Sequence, residues 1–133
     1  MTVLDTSGVV DFLLGVGAAR EVEQLLLDEG ELASPDVVVF ETVAVLRRLT
    51  LAGELGEERA AGAVSDLGDL PLRLYPSLLL RERAWELRAN LTTADAVFVA
   101  LAELLNEPLA TKDRGLSAAV GVMERVRASV LSL

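Results

Sequence analysis

Short apolar, often β-branched runs alternate with longer segments of helical apolar spacing along almost the whole chain, and this alternation constrains the fold most. Strands are expected at 2–4, 31–33, 72–75, 108–111 and 121–126. Between them, Val9, Val10, Leu13 and Leu14 recur at helical spacing until Gly15 and Gly17 break the pattern. Thr6 and Ser7 stand where a cap for that helix is needed. Further helices are expected over 18–28, 36–51, 57–67, 78–88, 93–106 and 113–120. Val37, Phe40, Ala44 and the cluster from Val43 to Leu46 are assigned to the packed side of the third, and Trp85 to that of the fifth. Residues 128–133 are apolar enough to pack but have no clear assignment. Strands that alternate with helices indicate α/β architecture: a short, mainly parallel sheet flanked by helices in three layers. The 133 residues fit a single domain spanning 1–133.

The chain contains no Cys and no His. That removes Cys/His zinc sites, Ser-His-Asp triads, Cys-His nucleophile pairs and imidazole bases. Ser7 therefore has no imidazole to activate it and is read as a cap or supporting donor. Any chemistry falls to carboxylates, whose oxygens favour hard cations such as Mg²⁺ or Mn²⁺. The formal net charge of -9 argues against simple electrostatic binding of nucleic acid, yet it suits a cation site and a basic protein partner. No apolar run approaches the ~20 residues of a membrane helix, and no basic leader precedes Asp5 and Asp11. A cytoplasmic protein without membrane contact is expected.

Topology gathers four acids. Crossover helices run antiparallel to the strands they join, so their N-termini share an edge with the strand C-termini, where ligands of open α/β sheets bind. Asp5 ends the first strand, Asp113 follows the 108–111 strand, Asp95 lies in the first helical turn after 93, and Glu41 lies early in its helix. Each has a structural reading of its own. Asp5 and Asp113 suit helix caps, Asp95 suits the helix dipole, and Glu41 suits a thin exposed stripe. Together they raise a charge problem, because two unit charges ~5 Å apart repel by roughly 3 kcal/mol at an effective dielectric near 20. A divalent cation is the simplest remedy.

Three pieces of the chain, VLDTSGVVDFLL from Val3, SPDVVVFETVAVLRRL from Ser34 and TTADAVFVALAELLNEPLATKDRGL from Thr92, resemble the PIN-domain ribonucleases, and in particular VapC-type toxins of toxin–antitoxin pairs. The resemblance implies a PIN-like fold and an acidic quartet of Asp5, Glu41, Asp95 and Asp113 around Mg²⁺ or Mn²⁺. It makes Asp5 and Asp95 the most direct ligands, and Thr111 with Thr6 or Ser7 supporting donors. It further implies hydrolysis of single-stranded or loop RNA, a cognate antitoxin that blocks the site, and a homodimer. One position departs: the family often has Asn three residues after the Glu, and here that residue is Ala44.

Two other functions compete. A catalytically inactive PIN scaffold that only binds a partner would have no reason to keep four acids. A phosphoacceptor receiver would need paired acids at the end of the first strand, which here ends in one. Lys112 and Arg114 flank Asp113 and are read either as phosphate contacts or as solvated charges. Arg47 and Arg48 are read as an RNA path, an antitoxin contact or structural charges.

Overall fold

The computed structural model describes residues 1–123, 126 and 128–133. Five strands, β1 (Val3–Leu4), β2 (Leu32–Pro35), β3 (Leu72–Tyr75), β4 (Leu109–Thr111) and β5 (Val130–Ser132), form one sheet in the order β3-β2-β1-β4-β5. Every pairing is parallel, with Val3 opposite both Ala33 and Leu109. Among the described residues seven α-helices connect them: α1 (Thr6–Leu14), α2 (Ala19–Glu29), α3 (Val38–Leu51), α4 (Glu57–Leu67), α5 (Arg81–Glu86), α6 (Thr93–Leu105) and α7 (Arg114–Val122). A 3-10 turn, Ser77–Leu80, precedes α5.

The chain lays down β1, β2 and β3 in one direction, then crosses back to place β4 on the other side of β1. Right-handed crossovers therefore put α1 to α4 on one face and α5 with α6 on the other. The packing agrees: α1 touches α2 and α3, α3 touches α4, and α6 lies across β1, β2 and β4. Strand order reverses between β1 and β4, and that reversal opens a crevice at the strands' C-terminal ends.

The inner strands are buried on both faces, as parallel strands require. α6 is buried continuously from Ala96 to Ala102, which explains its apolar sequence all round. Its first turn is held by Thr92, whose hydroxyl accepts from the Asp95 N–H, and Asn106 ends it in the left-handed region at φ 53°. No helix of the described residues is long and apolar enough to cross a membrane.

Four sequence expectations change. α1 is capped by Asp5, which accepts from Gly8 N, and not by Thr6 or Ser7. On α3 the buried residues are Val38, Thr42 and Leu46, so Phe40 is 77% exposed. The apolar run from 37 to 40 carries no phase of its own, and spacing at i, i+4, i+8 decides which side packs. Trp85 is also exposed, stacked under the Arg88 guanidinium at 4.3 Å instead of filling the core. The last strand is Val130–Ser132, not 121–126: Gly121 and Val122 complete α7, and residues 124 and 125 of that expected strand lie outside the described residues.

Candidate active site

Four helix N-termini converge on the crevice, and each brings one acid. Asp5 caps α1, Glu41 and Asp95 stand in the first turns of α3 and α6, and Asp113 caps α7. The partial positive charge at a helix N-terminus favours a carboxylate there. All four line one open cleft of about 740 Å³, together with Thr6, Ser7, Asp11, Ala44, Arg48 and Lys112.

Asp5 accepts the most hydrogen bonds of the four. Its Oδ1 accepts from Gly8 N at 3.1 Å and from the Ser7 hydroxyl at 2.7 Å, and its Oδ2 accepts a close hydrogen bond from the Thr111 hydroxyl. Thr111, fully buried, also accepts from Asp113 N at 3.0 Å, so one hydroxyl ties the end of β1 to the end of β4. Asp113 Oδ1 takes Leu116 N at 3.0 Å. Glu41 Oε2 accepts from the Thr6 hydroxyl at 2.6 Å. Each of the three predicted supporting hydroxyls thus donates to one of the predicted acids.

Asp95 is half-buried, and its pKa is raised, first by burial and then by the negative charges of Asp113 and Asp5; the Thr92 hydrogen bond opposes this. Asp95 therefore feels two of the other three acids. Among the described residues no three acidic side chains stand together as a ready ligand group. Asp5 and Glu41 turn oxygens toward the hydroxyl and backbone donors just named. The donor set itself, oxygen only and with an unbalanced negative charge, has the chemistry of a hard divalent cation site.

Sequence reading passed over Asp11 as a site residue. It is 5% exposed, and its Oδ2 receives both Ala18 N at 3.0 Å and the Lys112 ammonium at 2.7 Å. The available signal was an acid inside the apolar run from Val9 to Phe12. Ala44 lies on the cleft wall one turn beyond Glu41. Of the two arginines of α3, Arg48 lines the cleft.

The PIN domain family model matches residues 2–121. The chain belongs to the PIN-domain family. Among its PIN-domain relatives, Ribonuclease VapC1 of Mycobacterium tuberculosis is 42% identical over 121 residues, covering 90% of this chain and 91% of that protein. Ribonuclease VapC9 of the same organism is 40% identical over 117 residues, covering 88% and 89%. The fold is also similar to that in a toxin-antitoxin complex from Klebsiella pneumoniae, with a TM-score of 0.64, 20% identity and coverage of 99% of this chain and 97% of that one. PAE2754 from Pyrobaculum aerophilum gives a TM-score of 0.66 at 19% identity, covering 89% and 83%. The PIN expectation for fold and family, read from the three sequence pieces, therefore holds.

Proposed function

We propose that this PIN-domain protein is a Mg²⁺- or Mn²⁺-dependent endoribonuclease, the toxin of a toxin–antitoxin pair, and that Asp5, Glu41, Asp95 and Asp113 hold the ion. The observation that carries the reading is the convergence of these acids from four helix N-termini on one cleft at the sheet's switch point. Its similarity to VapC1 and VapC9, both named ribonucleases, supports the choice of RNA.

A divalent ion bound there supplies an activated water and neutralises charge developing on the phosphodiester. The chain's own residues prepare the place. Ser7, Gly8 and Thr111 hold the Asp5 carboxylate in one orientation, and Thr6 does the same for Glu41. Glu41 Oε1 and Asp113 Oδ2 take no hydrogen bond from the described residues and remain able to ligate or to orient water. The pKa of Asp95 is raised first by burial and then by the charges of Asp113 and Asp5, and a cation would relieve the second of these.

The same acidity suits an antitoxin whose basic segment enters and blocks the cleft, a partner in keeping with the fold's likeness to a toxin–antitoxin complex. Exposed Phe40, Leu78, Leu79 and Trp85 offer apolar surface for a second copy of the chain. The setting of this activity is the cytoplasm.

The test measures cleavage of a single-stranded RNA pool and thermal stability, each with and without Mn²⁺ or Mg²⁺. Wild type is compared with a double variant carrying Asp5→Asn and Asp95→Asn. A ligand at ~100 times its Kd adds about 2.7 kcal/mol, which is about 10 °C in Tm for a chain of this length. Metal stabilisation and cleavage in the wild type, both absent in the double variant, support the reading. A wild type that neither cuts RNA nor responds to metal refutes it in favour of the inactive binding scaffold.

A further inference from the structure

The cleft carries a cation that the acidic quartet does not explain. Lys112, between Thr111 of β4 and Asp113, lies on the same wall, with its ammonium 2.7 Å from Asp11. Asp11 belongs to α1 and is almost completely buried, whereas the Lys112 side chain is 45% exposed. Two further features hold Asp11 still. Its carboxylate accepts from Ala18 N at the start of α2. It also fills the space beside Gly17, which sits at φ +51° and where a Cβ would collide with the carboxylate.

Stability alone does not account for this arrangement. The pair neutralises a carboxylate that is almost completely buried, which helps the fold, but that task does not call for a partner whose own side chain is 45% exposed. A structural strap also needs no ammonium in a cleft. The charge pattern gives the reason. Left loose, a lysine beside Asp5, Glu41, Asp95 and Asp113 would fold onto those carboxylates and neutralise them. The bond to Asp11 holds it instead. An ammonium has three donors; one goes to Asp11, no other acceptor for Lys112 occurs among the described residues, and Lys112 lines the cleft.

We infer that Lys112 is a phosphate contact for RNA on the wall of the cleft, and that Asp11, braced by the turn at Gly17, is the positioning residue that keeps it off the quartet. This inference rests on the ribonuclease reading for its substrate, a single-stranded RNA phosphodiester. It adds two residues outside the quartet and its supporting hydroxyls. The chain is acidic as a whole, so a fixed cation at the cleft has large weight in admitting a polyanion.

The experiment measures binding of a labelled single-stranded RNA oligonucleotide by anisotropy, with Ca²⁺ in place of the active metals, across a series of salt concentrations. Wild type is compared with Lys112→Gln, Lys112→Arg, Asp11→Asn and the Asp11→Asn/Lys112→Gln pair. Loss of one phosphate contact lowers the slope of log K against log salt by about 0.7–1. Lys112→Gln should show that loss and Lys112→Arg should keep the wild-type slope. Asp11→Asn should weaken binding in the same direction, and the pair should be no weaker than Lys112→Gln alone.

An unchanged slope in Lys112→Gln overturns the inference, even if thermal stability falls, because a strap would lower stability and leave the slope intact. Independent, additive losses from the two single variants overturn the role of Asp11. Should Asp11→Asn not fold, the two Lys112 variants still decide whether that ammonium meets phosphate. Wild-type protein that binds RNA but neither cuts it nor responds to Mn²⁺ refutes the metal-nuclease reading, while the slopes still judge Lys112. Protein that binds no RNA refutes both.

Discussion

Gly17→Ala should be among the most damaging single-methyl additions on the surface of this protein, and Gly15→Ala provides its control. Both glycines lie in the left-handed region, at φ +51° and φ +67°. Forcing an alanine there costs about 1–2 kcal/mol. At Gly15 nothing lies within 4 Å of the added carbon, so the backbone cost is the whole cost. At Gly17 the methyl would occupy the position of the Asp11 carboxylate, which would have to leave Ala18 N, Lys112 or both. A hydrogen bond to a charged group is worth roughly 1.5–3 kcal/mol. The expected totals are therefore about 1–2 kcal/mol at Gly15 and about 2.5–5 kcal/mol at Gly17. For this length, unfolding entropy near 2.1 cal/mol/K per residue makes each kcal/mol worth about 3.6 °C. Gly15→Ala should thus lower Tm by about 4–7 °C and Gly17→Ala by about 9–18 °C. Calorimetry or urea unfolding reads both. Repeating Gly17→Ala in an Asp11→Ala background should shrink its cost to that of Gly15→Ala, because the colliding carboxylate is gone. Equal costs at the two glycines, or an excess at Gly17 that persists without the Asp11 carboxylate, would show that the turn does not brace Asp11.

Three smaller predictions follow from other contacts. Asp95 has a folded-state pKa above its ordinary 3.8, chiefly through burial, so the native state binds more protons than the unfolded chain between those two values. In metal-free buffer the destabilising contribution of Asp95 should therefore fade as pH falls through that window, so Asp95→Asn should be more stable than wild type at pH 7, with the advantage shrinking on acidification; an advantage that grows at low pH would contradict the assignment. The Thr42 hydroxyl is buried without a hydrogen-bond partner among the described residues, so Thr42→Val should raise stability by about 1 kcal/mol in chemical denaturation, and a loss would mean that the hydroxyl has a partner. Arg83 holds Glu103 through two N–H donors at 3.0 Å each, joining α5 to α6; Arg83→Lys should cost about 1 kcal/mol, because an ammonium cannot form that paired contact.

Much of the architecture was legible because period and burial agree along the chain. α4 and β3 run where apolar spacing places them, and the continuous burial of α6 follows from its uniformly apolar sequence. The edge occupied by Asp5, Glu41, Asp95 and Asp113 was legible for a different reason. Parallel strands with crossover helices fix where strand ends and helix starts meet, whatever the side chains. Phe40 and Trp85 misled because a large apolar residue shows its size in the sequence but not which way it faces. The end of α7 misled because Gly121 reads as a stop, yet the helix continues past it to Val122. Asp11 and Lys112 meet across a separation of 101 residues, and neither the spacing of one nor the neighbours of the other indicates its partner.

The bond between Thr111 and Asp5 also sets a clock. The two residues are 106 positions apart, and Asp113 lies beyond them. Translation proceeds at about 5–20 residues/s, so roughly 5–20 s separate the synthesis of Asp5 from that of Thr111. Throughout that interval β1 lacks its β4 neighbour and Asp5 lacks the hydroxyl that orients it. The growing chain therefore cannot bring the four acids together until β4 and Asp113 have been made. On the ribonuclease reading, a partner that blocks this cleft has nothing to block before that step, and its protective value depends on how soon afterwards it arrives.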